Sequence, residues 1–372
     1  MFKLNRHIIS YAVLSIILSA LVVLSIVSGN AKTPLTSRNF HSIIGLIRSQ
    51  LDNVPKTDDN DIQTAVGSIS TDDLDDLLIR VYDSGEKRVR EMFLEDYIMG
   101  VVYAEMNLRN NIEALKAQAV AARSYTLYKF YNDSEGVNIH KDGAIICTDY
   151  THCQAWKDPE GIIPAYGKET GQELYNKLKK AVESTKGIVM TYEGEVIKAM
   201  YFSSSGGYTE SMEDVWYEKL EYLKSVPSYG ELANDYYCNF AYFSKSDFVA
   251  RFKKAYGYNF KAEPYNIMES ITNIERSSTG RIKKITIGGV EMSGIAARSI
   301  LGLRSTNMIF REFNKDTILI ITIGTGHGVG MSQLGAITMA DEGKTYDEIL
   351  KHYYSGVELE RELYTSIGLP SN

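Results

Sequence analysis

The sequence predicts an α+β protein: a transmembrane helix and a tether, followed by a mixed helix and strand extracytoplasmic region with an active-site cleft. Three observations predict it. Residues Ile8–Val27 form an apolar run without a charge. Beyond residue 76, helical and alternating hydrophobic periods follow one another without the regular rhythm of βαβ units. Near the C-terminus, an apolar strand pattern runs into a loop dense in glycine.

The first run reads IISYAVLSIILSALVVLSIV, twenty residues. At ~1.5 Å per residue it spans about 30 Å, the thickness of a bilayer core. Lys3 and Arg6 precede it, and positive flanks stay cytoplasmic, so the rest of a single-pass chain is expected outside the cell membrane. A leader cleaved near residues 29–31 is the alternative, but the run exceeds the roughly 7–15 apolar residues of such a leader. This gives a stub and anchor over 1–30. Residues 31–75 read as a polar tether, with Asp58, Asp59, Asp61, Asp72, Asp73 and Asp75 in its second half and Asp76 just past it.

A catalytic region is expected over 76–362, with an inserted subdomain at about 220–310 and a tail at 363–372. LLIRVYD and KRVREMF alternate about Ser84-Gly85 and predict a hairpin. LEDYIMGVVYAEM then changes to helical period, and a second, alanine-rich helix is expected over 112–131. VMTYEGEVIKAMYF predicts a hairpin about Gly194. That hairpin lies in a strand segment over 185–203; strands are also expected over 281–293, and a helix over 244–257. ILIITIGTGHG reads as a strand entering a loop, with short helices at 332–342 and 346–354. Thr345 and Glu348 have the spacing of a capping box.

The net charge of -7 is opposite in sign to that of proteins that track a phosphate backbone, so no nucleic-acid partner is expected. Three cysteines cannot make a disulfide framework in a chain of 372 residues.

The candidate chemistry falls in four places. Tyr97, Ile98, Val101, Val102 and Met106 define the apolar face of the first helix, and Glu105 shares that side. A carboxyl desolvated there keeps its proton, as a general acid requires. On the second helix Gln118, Arg123 and Tyr125 are the large polar residues among alanines, with Arg123 suited to orient a carboxylate or bind an acidic ligand. His140, Cys147, His152 and Cys153 lie within fourteen residues. Such soft ligands suit a closed structural zinc site, while a Cys147–Cys153 disulfide is the rival reading. Finally, Tyr201, Ser203, Ser204 and Ser205 open a polar turn ending at Trp216. His327, Ser332 and Gln333 lie in or just after the glycine loop, where backbone approaches a ligand closely. Hydroxyls and aromatic rings suit a carbohydrate cleft.

LEDYIMGVVYAEM, EALKAQAVAARSY, CTDYTHCQAW, YFSSSGGYTESMEDVW and GTGHGVGMSQLGAITMADEGKTYDEILKHYYSGVEL together resemble the stage II sporulation protein D family, membrane-anchored lytic transglycosylases of endospore formers. The resemblance runs from about 78 to 360. It implies that Glu105, in GVVxAE, is the catalytic acid and that the THCQ stretch belongs to a zinc-binding variant of the family. It implies cleavage of the β-1,4 bond between N-acetylmuramic acid and N-acetylglucosamine in peptidoglycan glycan strands, leaving a 1,6-anhydro end. The strands would have been stripped of peptides by a sporulation amidase, and an endopeptidase and membrane proteins of the engulfment complex would be further partners. The setting would be the mother-cell side of the sporulation septum. Two other readings are a non-catalytic modifier of an amidase, as in a related family, and a zinc hydrolase with Glu105 as base. Four protein ligands would leave a zinc no open position for water, which ranks the hydrolase last.

Overall fold

In the computed structural model the described residues are 77–133, 140, 143–231 and 237–361. The expected anchor, tether and tail lie outside them. Among the described residues no helix is long and apolar enough to cross a membrane.

The described residues open with β1 (Leu78–Asp83) and β2 (Arg88–Phe93), the antiparallel hairpin expected about Ser84-Gly85. Helices α1 (Leu94–Glu105) and α2 (Ile112–Asp133) follow. Next come β3 (Ile146–Cys147), α3 (Ile162–Tyr166), α4 (Lys168–Ser184), β4 (Ile188–Tyr192), β5 (Glu195–Val196), β6 (Tyr201–Phe202) and α5 (Met212–Trp216). A second group comprises β7 (Cys238–Ser244), α6 (Lys245–Tyr256), β8 (Ile271–Arg276), β9 (Ile282–Ile287), β10 (Val290–Ser293), α7 (Gly294–Leu301), β11 (Met308–Asn314) and β12 (Thr317–Ile323). The chain then returns to the first group through β13 (Met331–Ser332), α8 (Gln333–Asp341), α9 (Tyr346–Tyr353) and β14 (Glu358–Arg361).

Two hydrophobic cores result. The first is built around α2, whose Ala114, Ala117, Ala119, Ala121 and Ala122 are fully buried. Alanine brings backbones close, and α1, α4, α8, α9 and β4 all pack on this helix. Sheets β2-β1-β3 and β14-β4-β5 flank it. On α1 the predicted face is the buried one: Tyr97, Ile98, Val101 and Val102. The second core, from Phe243 to Ile320, lies between α6, α7 and two antiparallel sheets, β10-β9-β8 and β11-β12-β7. It starts and ends later than the insertion drawn at 220–310. Tyr222 and Leu223 belong to the first core, and β12 is the central strand of a sheet of the second. The 281–293 segment is a hairpin, not one strand, because Gly288 and Gly289 turn it.

The return from β12 builds the site. The glycine loop zips against the serine turn through Ser204↔Thr325 and Glu210↔Val329, and β13 pairs parallel with β6. Gly330 makes this approach possible. It adopts φ 80°, and a Cβ there would sit 1.9 Å from the Met200 carbonyl oxygen.

Candidate active site

Glu105 is the last residue of α1. Met106 turns to φ -129° and closes the helix with its N–H on the Val102 carbonyl. The helix therefore ends where the carboxyl leaves it, and the negative end of its dipole disfavours the carboxylate. The side chain is half-buried. Burial is the main cause that raises its pKa above the ordinary carboxylic value, opposed by two hydrogen bonds. Oε1 accepts the Ala155 N–H at 3.0 Å, and Oε2 accepts from Gln333 Nε2 at 3.0 Å. Gln333 Nε2 also lies 3.3 Å from Gln118 Oε1. Gln118 is fully buried, and its own Nε2 has no partner among the described residues.

The phenol facing Glu105 is Tyr201, kept protonated well above its usual range by burial and then by the Glu105 charge. It donates to Gln154 Oε1 at 2.8 Å, while Gln154 Nε2 reaches Thr126 at 3.0 Å and Tyr97 at 3.3 Å. Trp156 completes the segment. It lies over Gly100 of α1, where a Cβ would come within 2.0 Å of the indole nitrogen. Residues 154–156 thus fasten α1, Tyr201 and Glu105 together.

This segment continues directly from the Cys/His cluster. β3 runs parallel to β1 and carries Cys147 into place. His140 Nε2 and His152 Nδ1 each lie 3.3 Å from Cys153 Sγ, and Cys147 Sγ lies 3.7 Å from His152 Nδ1. All four ligand atoms fall within 4.8 Å of one another. Zinc–ligand bonds of ~2.0–2.3 Å in a tetrahedron place ligand atoms about 3.3–3.8 Å apart, the spacing of these three pairs. The cysteines are free thiols. A hydrogen bond from Cys153 is the first cause that pulls Cys147 down to about 5, and the same pairing pushes Cys153 up.

Several residues expected to touch a ligand have other duties. Arg123 is fully buried, and its guanidinium grips both Glu95 oxygens at 2.8 and 2.6 Å and the Ile188 carbonyl at 3.0 Å. It binds this internal acid, not a substrate, and Glu95 is correspondingly not a solvent-facing residue. Tyr125 is buried in the first core. Ser204, Ser205 and Ser332 are also buried, and their hydroxyls point at Glu231. Ser203 is half-buried, and its carbonyl accepts the Leu334 N–H.

His327 is half-buried between Phe202 and Trp216, with ring centroids 5.5 and 5.1 Å away. Its Nδ1 accepts the Val329 N–H at 3.1 Å. Burial, then the charges of Arg281 and Arg298, hold it down to about 3, so it is neutral and shapes the loop. No hydrogen bond joins it to Glu105. Trp216 beside it is 38% exposed, enough ring to meet a sugar face. Sequence reasoning missed Gln154, Ala155 and Glu231. The first two directly follow Cys153, and that adjacency was the available signal. Glu231 gave none.

The fold and site set the half-buried Glu105 carboxyl, raised by desolvation, at the end of α1 against Ala155 and Gln333. Among the described residues, no second carboxylate bonds to Glu105. The profile of the Stage II sporulation protein family matches residues 82–192. Stage II sporulation protein D of Bacillus amyloliquefaciens is 35% identical, across 76% of this chain and 78% of that protein. Its counterpart in Bacillus subtilis (strain 168) is 34% identical over the same shares. The Amidase enhancer of Bacillus subtilis (strain 168) is 29% identical, across 70% of this chain and 40% of that protein. The chain belongs to the stage II sporulation protein D family.

Proposed function

We propose that this sporulation protein is a lytic transglycosylase acting on peptide-free peptidoglycan glycan, with Glu105 as its acid and base. The observation that carries the reading is Glu105 itself: desolvated, raised in pKa, and bonded to an N–H and an amide without a second carboxylate. Ordinary glycosidases divide the work between two carboxyl groups. Here the Glu105 proton passes to the glycosidic oxygen as the bond to the anomeric carbon breaks. The 6-hydroxyl of the same sugar attacks that carbon, and its proton returns to Glu105. The product is a 1,6-anhydro end, no water is consumed, and the residue finishes as it began. Activity requires the protonated acid, so it falls as pH rises through the raised Glu105 pKa.

Purified glycan strands incubated with the chain alone test the reading: shortening without any second protein is expected. The similarity to the Amidase enhancer favours one alternative, a modifier that has no effect on glycan until an amidase is added.

The Cys/His cluster is proposed to hold a structural zinc through His140, Cys147, His152 and Cys153. A bound zinc would supply charge that keeps both thiols deprotonated and would tie His140, Cys147 and the His152-Cys153 turn together. The chain's own gain is rigidity at Gln154 and Ala155, hence a fixed N–H on Glu105. About one zinc per chain is expected by elemental analysis. A strong chelator should lower the melting temperature, release two reactive thiols and slow turnover. A Cys147–Cys153 crosslink in metal-free protein would contradict the site.

The localisation is proposed as the cell membrane, through Ile8–Val27, with the site outside. Protease added to intact protoplasts should remove residues beyond about 40, and full protection would reverse the topology.

A further inference from the structure

Glu231 takes no part in the proton transfers, yet it is 2% exposed and accepts five hydrogen bonds. Oε2 takes the Ser204 hydroxyl and the Ser205 N–H, each at 2.7 Å. Oε1 takes the hydroxyls of Ser205 at 2.8 Å and of Ser228 and Ser332 at 2.7 Å each. No cation pairs with it within 4 Å among the described residues. The hydroxyls are aligned by further donors behind them. Ser205 Oγ accepts the Gly207 N–H at 2.9 Å, Ser332 Oγ accepts the Gly335 N–H at 3.2 Å, and Ser228 Oγ meets the Tyr353 hydroxyl at 2.7 Å. Four hydroxyls and one N–H thus converge on one carboxylate, which needs no counter-ion because its lone pairs are filled.

The cluster has a direct outlet to the site. Ser332 is the N-cap of α8, and Gln333 is the next residue. We infer that Glu231 is a positioning residue for the acid: by fixing Ser332 it sets the first turn of α8, and with it Gln333, against Glu105. The inference rests on the reading of Glu105 as the acid. The same carboxylate clamps Ser204 and Ser205, the turn that β12 and the glycine loop lie along. A glutamine here would point an amide N–H₂ at hydroxyls that are already donating, so the cap would be displaced, and Gln333 with it.

A hydrogen bond from Gln333 favours the charged form of Glu105, so its loss should raise the Glu105 pKa further. The titratable group facing Glu105 is the Tyr201 phenol, which stays neutral. Facing Glu231 are the Tyr353 phenol from α9 and, beyond Ser205, the Arg281 guanidinium. Neither of these touches Glu105.

The test is a titration. Full-length protein carrying carbon-13 at glutamate carboxyls is followed by NMR, with the Glu105 signal assigned by its absence in Glu105→Gln. Gln333→Ala should move the Glu105 midpoint up by about one pH unit, the scale of one hydrogen bond to a charged group. Glu231→Gln should move it in the same direction, and the double variant should move it no further than Gln333→Ala alone. The alkaline limb of glycan cleavage should shift in parallel. Ser332→Ala cuts the link while leaving Glu231 in place and should reproduce the shift, and Ser332→Thr should restore the parent midpoint. An unmoved midpoint in Glu231→Gln or, if that variant does not fold, in Ser332→Ala overturns the inference. So does a shift that adds to that of Gln333→Ala. Because the midpoint is read without turnover, a parent protein that cleaves no glycan refutes the proposed reaction and leaves this test standing.

Discussion

Glu105→Gln should reduce glycan cleavage by about 100- to 10,000-fold, the usual share of general acid–base assistance. The substitution keeps the size of the side chain and an oxygen for the Ala155 N–H, so the melting temperature should stay close to that of the parent. What disappears is the proton. Both halves of the reaction use it, first toward the leaving oxygen and then from the 6-hydroxyl, so no second group rescues either half. Glu173→Gln, the same change on the exposed face of α4, should leave turnover unchanged. Rates are best compared below the Glu105 pKa, where the parent is fully protonated. Unchanged turnover in Glu105→Gln would remove the acid from the mechanism.

Arg123→Ala should be strongly destabilising, costing about 3–5 kcal/mol. The Arg123 side chain is fully buried, and Glu95 is only 14% exposed. Removing the guanidinium strands a carboxylate at the start of α1 and frees the Ile188 carbonyl of β4. Urea denaturation measures the loss. Glu95→Ala should also destabilise, and the double variant should be more stable than the sum of the two single losses implies. A variant of normal stability that fails only to bind glycan would instead place Arg123 at the substrate.

These two residues show what the sequence reveals and what it hides. Glu105 was legible because a 3.6-residue period carries its own burial: Val101 and Val102 fix the apolar side of α1, and Glu105 follows from them. The Thr345 capping box was legible for the same local reason, and it is present with Glu348. Arg123 lies on an equally clear helix, but its partner is 28 residues away, and no local period encodes that pairing. The serines of the YFSSSGG turn resembled sugar contacts because a hydroxyl's direction is set by its acceptor. That acceptor, Glu231, is brought in by a separate loop. The strand of ILIITIGTGHG was legible, but its pairing with β7, more than seventy residues earlier, which helps frame the second core, is not encoded in any local period. The Cys/His cluster stood out by composition alone, whereas its link to Glu105 through Ala155 required the fold.

In the proposed reaction one carboxyl cleaves glycan by intramolecular transfer without water. Mass spectrometry of the new chain ends tests it most directly, using peptide-free glycan incubated with the protein in oxygen-18 water. Muramic ends are expected in the 1,6-anhydro form, lighter by one water than the reducing sugar and free of oxygen-18. Reducing ends carrying one oxygen-18 would show hydrolysis and contradict it.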